Sequence, residues 1–155
     1  MRFSKIAMLA ATLLPLSSYA TLGGAPGAGT SSPAILRAVS PSAVATPVQP
    51  ANAAPYSLHQ SIDANGVTLR EYVLPGNVVF AVSWDGPIRP DMTALLGSYF
   101  PNFVNAAQSH ARGTGPLVGG NDDFRIESSG RLGRFSGMAW LPRLMPAGVR
   151  PGDLQ

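Results

Sequence analysis

The sequence predicts an α+β fold: an antiparallel sheet of about five strands, β-β-β-α-β-β along the chain, with one long kinked helix packed on one face. Three observations carry this. Val67–Trp84 (VTLREYVLPGNVVFAVSW) alternates apolar and polar residues on either side of Pro75-Gly76-Asn77, so it reads as two strands joined by a tight turn. Met92, Leu95, Leu96, Tyr99, Phe100, Phe103, Val104 and Ala107 recur at i, i+3, i+4, i+7 spacing, the mark of a helix with one apolar stripe. Phe124–Ser128 and Leu132–Trp140 then read as a second hairpin around Ser129-Gly130-Arg131.

At 155 residues the chain has room for one domain, expected over 56–155, after a signal peptide (1–20) and a flexible leader (21–55). Arg2 and Lys5 form a charged n-region and Ile6–Leu16 an apolar h-region. Ser18-Tyr19-Ala20 then offers the small residues a signal peptidase reads, so a cut after Ala20 is expected. The apolar run, broken by Pro15, is well short of the ~20 residues that cross a bilayer, so no membrane span is expected after cleavage. The mature chain is therefore expected in the periplasm or outside the cell. It has no cysteine, which leaves no thiol for lipidation and makes packing alone responsible for holding the domain together.

The leader is mostly Ala, Gly, Pro, Ser, Thr and Val, with Arg37 its one charge. So little large apolar surface does not offset the entropy of ordering, and a disordered leader is expected. Tyr56–Asp63 alternates again and is followed by Ala64-Asn65-Gly66, a strong hairpin signal, which completes a three-stranded meander. On the second strand of its opening hairpin, Val78, Phe80, Val82 and Trp84 are expected to share one face. Asp91 is the expected N-cap of the helix. Pro101 falls inside the helical pattern, where it removes a hydrogen bond and clashes with the carbonyl of Gly97; the stripe keeps its phase, so one kinked helix is expected. His110–Asn121 reads as a glycine-rich loop. Leu141–Gln155 reads as an irregular tail packing Leu141, Leu144 and Val149 over a sheet edge.

Charge and motif content exclude several functions. The sequence pI is about 9.8, but Arg2 and Lys5 leave with the signal. Nine arginines against eight carboxylates remain, a net of +1 and too weak a footprint for nucleic acid. Two histidines and no cysteine make zinc improbable. Asn121-Asp122-Asp123 lacks the closing glutamate and spacing of an EF-hand, and the glycines of 113–120 precede no Lys-Ser/Thr of a phosphate loop. No metal or cofactor is expected. A Ser-His-Asp trio built on His59 (with Ser57, Ser61 and Asp63) or on His110 is formally available, yet no nucleophile elbow supports it, so no catalytic residue is assigned.

Two candidate contact regions remain. Arg125, Arg131 and Arg134 cluster on the second hairpin and suit an anionic ligand or partner, although Glu127, Asp122 and Asp123 stand ready to neutralise them. Ala94, Gly97, Ser98 and Asn105 lie on the helix face opposite the stripe, which is small and uncharged; a mild solvent face explains them as well as a partner does.

Several short motifs, taken in order, carry a family resemblance. They are Leu22-Gly23-Gly24-Ala25-Pro26, Arg70-Glu71-Tyr72-Val73, Val79-Phe80-Ala81-Val82-Ser83-Trp84-Asp85-Gly86-Pro87, Pro90-Asp91 and Leu95-Leu96-Gly97-Ser98-Tyr99-Phe100. Phe135-Ser136-Gly137, Ala139-Trp140-Leu141-Pro142 and Pro146-Ala147-Gly148-Val149 complete the set. In these the chain resembles the DUF2844 family of small exported bacterial proteins, whose function is unknown. The resemblance implies an envelope protein and transfers no activity, cofactor or catalytic residue.

The function expected is therefore non-enzymatic: a binding or accessory protein of the cell envelope, with an envelope partner or a second copy of itself. Two alternatives stand beside it. One is a small-ligand binder with a pocket between helix and sheet lined by Tyr72, Trp84, Tyr99 and Phe103. The other is a small hydrolase using His59 or His110.

Overall fold

Turn chemistry sets the strands. Asp63 Oδ1 accepts the N–H of Asn65 at 2.8 Å and of Val67 at 2.9 Å, while Gly66 adopts φ +77°. Asn77 at φ +60° and Gly133 at φ +79° close the next two hairpins. In the computed structural model, which describes residues 21–27, 30–33, 55–109 and 115–154, seven strands result. They are β1 (Thr30–Pro33), β2 (Ser57–Ile62), β3 (Thr68–Val73), β4 (Val79–Gly86), β5 (Leu117–Gly120), β6 (Arg125–Arg131) and β7 (Arg134–Trp140). They form one antiparallel sheet in the order β1-β2-β3-β4-β7-β6-β5. The expected signal peptide, leader residues 34–54 and His110 lie outside the described residues.

The α+β class and the first meander are as expected, and the sheet is wider than about five strands. One added strand, β1, comes from the leader; the other, β5, from the glycine-rich loop. The second hairpin also turns later than expected, at Leu132-Gly133, because Gly133 supplies the positive φ that Ser129-Gly130-Arg131 would have needed.

Between β4 and β5 runs the kinked helix: α1 (Met92–Leu96), a 3-10 turn (Gly97–Tyr99) and α2 (Phe100–Ser109). Asp91 caps it, its carboxylate accepting from Thr93 N and Ala94 N at 2.8 and 3.1 Å. The kink centres on Gly97, at φ +51°, rather than on Pro101. Pro101 falls in the first turn of α2, where a missing N–H costs nothing.

Each face of the sheet carries its own core. On the helix side, Met92, Leu95 and Leu96 pack with Val82, Trp84, Phe124, Ile126, Ala139 and Leu141, and Tyr99 stacks on Phe124 at 6.0 Å. On the far side, Tyr56, Tyr72 and Phe80 meet at centroid distances of 5.6–6.3 Å and join Met138, Trp140 and Leu154. Phe80 reaches that side because the register skips it: Tyr72 pairs with Ala81 and Val73 with Val79. Such a bulge turns two successive residues to one face, so Phe80 and Ala81 point away from Val82 and Trp84. The expectation that Phe80 shares a face with Val82 and Trp84 is overturned by this extra residue.

The first and last described segments take part in the packing. Leu22, 1% exposed, lies in the helix-side core; its N–H donates to Leu95 O, and Gly23 N and Gly24 O bond Val79. The start of the leader is thus part of the domain. The tail closes a face rather than an edge: 3-10 turns at Pro142–Leu144 and Pro151–Leu154 bring Val149 and Leu154 over the far-side core, and Tyr72 Oη donates to Leu154 O. Leu144 remains 38% exposed.

Candidate functional site

The tail covers only half of the far face. Below Phe80 and Trp140 the described residues leave the same face open, as a trough of about 640 Å³. Strand register builds it. Arg70, Ser83, Met138 and Glu127 form one row across β3, β4, β7 and β6, and Val118 of β5 follows Glu127. Thr68, Asp85, Ser136 and Ser129 form the next row, nearer the hairpin tip. These residues fall on the polar phase of strands whose other phase is buried, which is why one face of each strand is wet here.

The electrostatics are balanced. Arg134 Nη2 meets Asp85 Oδ2 at 3.4 Å across the second row. Arg70 and Glu127 make no ion pair among the described residues, which hold one other salt bridge, Arg143–Asp123 at 2.8 Å. Ser83 is 6% exposed, and its Oγ, although beside the Tyr72 hydroxyl, makes no hydrogen bond of normal geometry. Burial pushes the Tyr72 hydroxyl above its ordinary value of 10.0, and Ser83 and Arg70 pull it partly back. The phenol therefore stays neutral and donates to the Leu154 carbonyl.

The candidate arginines are dispersed. Arg131 and Arg134 pair at the tip of the second hairpin, around a fully exposed Leu132. Arg125 begins the same strand six residues earlier, about 20 Å away at a strand rise near 3.3 Å per residue, and its Nε donates to Asn121 O at 3.1 Å. The expected neutralising pairs do not form: Arg134 takes Asp85, and Asp123 takes Arg143. Asn121 caps the turn into β6, its side chain accepting from Asp123 N and Phe124 N at 2.9 Å.

The small helix face has a partner inside the chain. A Cβ on Gly97 would stand 2.0 Å from Thr21 Cγ2, so the leader lies directly on that glycine. Ala94 is half-buried, whereas Ser98 and Asn105 are exposed.

The pocket expected between helix and sheet around Tyr72, Trp84, Tyr99 and Phe103 is not formed. Trp84 is 2% exposed and lies over Gly137, where a Cβ would come within 2.4 Å of Trp84 Cζ2. Tyr72 is on the other side of the sheet. Asp63, the carboxylate of the trio around His59, accepts its turn amides. His59 instead pairs across the sheet with Glu71, a carboxylate 3% exposed that accepts the Gly27 N–H at 3.0 Å. Burial raises the Glu71 pKa above 4.5; the Gly27 bond and the His59 charge act against that rise. Among the described residues no group of three His, Asp or Glu side chains is placed to hold a metal.

The DUF2844 family model, described as a protein of unknown function, matches residues 18–154. The chain belongs to the DUF2844 family. No curated protein and no solved structure matches it. The family match spans the buried Leu22, every strand of the sheet, the helix and the tail.

Of the trough, sequence reading picked out Arg134 as a contact residue, Glu127 as its neutralising partner and Trp84 as the lining of a different pocket. Thr68, Arg70, Ser83, Asp85 and Ser136 do sit at alternating polar positions, and that was the available signal. Their assembly into one surface depends on register between strands up to about 70 residues apart, which alternation does not encode.

Proposed function

We propose that this DUF2844 protein is exported, and that it works without catalysis as a binding or accessory protein of the cell envelope, holding its ligand or partner in the trough. The observation that carries the reading is the trough itself: half of a sheet face that the described residues leave uncovered, with Arg70 and Glu127 in no ion pair among those residues. Export rests on the n-region, h-region and Ser18-Tyr19-Ala20 of the sequence. A cut after Ala20 would keep Thr21 and Leu22, both of which are seated in the domain.

Fractionation of producing cells, with N-terminal sequencing of the mature chain, tests export. A photo-crosslinker placed singly at Thr68, Ser129 or, as a control, Gln108 on α2 tests the trough. Adducts from Thr68 and Ser129 and none from Gln108 are expected. Equal labelling at all three, or none at any, would sink the reading.

A further inference from the structure

Resting on that reading of the trough as the binding surface, we propose that it takes a short peptide with free ends, carboxylate toward Arg70 and ammonium toward Glu127. The first argument is spacing. Arg70 and Glu127 occupy one row with two strands between them, so their Cα atoms stand about 14 Å apart, three strand spacings of about 4.8 Å. At that separation each is left without the other, and neither has another ion-pair partner among the described residues. An extended chain covers about 3.3–3.6 Å per residue, so two or three residues bring their ends to about 7–11 Å. The two side chains, leaning inward, close the remainder.

The second argument is charge. Arg70 and Arg134 against Asp85 and Glu127 make the trough neutral overall; Arg134 and Asp85 pair with each other, which leaves Arg70 at one end of the row and Glu127 at the other. A phosphate-rich ligand would meet two carboxylates, and a polycation two guanidinium groups. A zwitterion meets a complement at each end. Arg70 offers the planar fork that grips a carboxylate by two hydrogen bonds.

The third argument is the floor. Ser136, Thr68 and Ser129 provide hydroxyls that donate or accept, as peptide amides and carbonyls require. Met138 lies between as an adaptable apolar contact for a side chain. The trough has no exposed aromatic ring, since Trp84, the one aromatic residue along it, is buried toward the helix. A sugar would find no stacking platform. At about 640 Å³ the volume suits a di- or tripeptide and lies within the usual range of ligand sites.

The test is an NMR titration of the purified exported form with trialanine, N-acetyl-trialanine and trialanine amide, repeated for Arg70→Gln and Glu127→Gln. Thermal melts first establish that both variants keep the wild-type midpoint. Trialanine is expected to shift the amides of Ser83 and Ser136, and blocking either end is expected to weaken it at least tenfold. Arg70→Gln should weaken trialanine to the level of its amide and leave the amide unaffected; Glu127→Gln should do the same for the acetylated form. Binding that ignores both blocked ends, or no shifts with trialanine, overturns the peptide assignment. If the crosslinks from Thr68 and Ser129 persist in that case, the trough remains the binding surface and the ligand class is wrong. If they are absent too, the binding reading itself fails.

Discussion

The two faces of the sheet are closed by different means, and the difference separates stability from function. The helix-side face is covered over β3, β4, β7 and β6 by α1, α2 and the leader, with Leu22, Leu96, Trp84 and Ile126 each at most 2% exposed. The far face is covered only over its Tyr56–Tyr72–Phe80 half, by a tail pinned through the Tyr72–Leu154 hydrogen bond. Along β3, β4 and β7 that face changes from polar to apolar at neighbouring rows: Arg70 to Tyr72, Ser83 to Ala81, Ser136 to Met138. Register aligns the change on β3 with that on β4, and on β7 it falls one row nearer the hairpin tip, so the wet half has a stepped border. A dry face buries enough apolar area to hold the fold, and a half-open one leaves polar groups available to a ligand.

Four substitutions break or sharpen that contrast. The largest effect is expected for Phe80→Ala, which empties the bulge position joining the tail to the sheet; Phe80 is 0% exposed. Loss of about 3–5 kcal/mol is expected in urea unfolding, and a loss confined to the tail would show the far-side core to be a separate unit. Leu22→Ala follows, at about 2–5 kcal/mol. An unchanged midpoint would mean that the leader does not contribute to the helix-side core. Gly97→Ala combines a positive φ with a Cβ against Thr21, and a cost of about 1–3 kcal/mol is expected, with faster proteolysis of the leader as the readout. At the small end, Arg134→Ala removes an exposed pair with Asp85 and should change stability by less than about 1 kcal/mol while altering the trough.

A pH experiment addresses the buried carboxylate beneath the leader. The Glu71 pKa is raised in the folded chain, so the folded state holds that proton more tightly than the unfolded state does. Its contribution to stability is therefore present below the ordinary value of 4.5 and is lost as pH rises through the higher folded value. Glu71→Gln should lose that part of the slope. Its thermal midpoint, measured from about pH 4 to pH 7, should fall less with rising pH than that of the wild type. Parallel curves would show that Glu71 titrates alike in both states.

The sequence by itself determined the elements whose signals are local. Asn65-Gly66 and Pro75-Gly76-Asn77 placed the turns, Asp91 the cap, and the Met92–Ala107 stripe the helix, because turn φ values, capping hydrogen bonds and helical periodicity are settled within a few residues. The family was equally legible, through short motifs in order. Tertiary structure decided what depends on contacts distant in the chain. Leu22 looked like part of a plain leader because its composition is poor in apolar residues, yet a pocket formed by Leu95, Leu96 and Val79 buries it. Alternation gave Phe80 to the wrong face, since a bulge changes a strand's phase without changing its composition. The trough was hidden for the same kind of reason: Arg70, Ser83 and Glu127 are unremarkable polar positions until pairing sets them in one row, and pairing is fixed by the packing of the whole sheet.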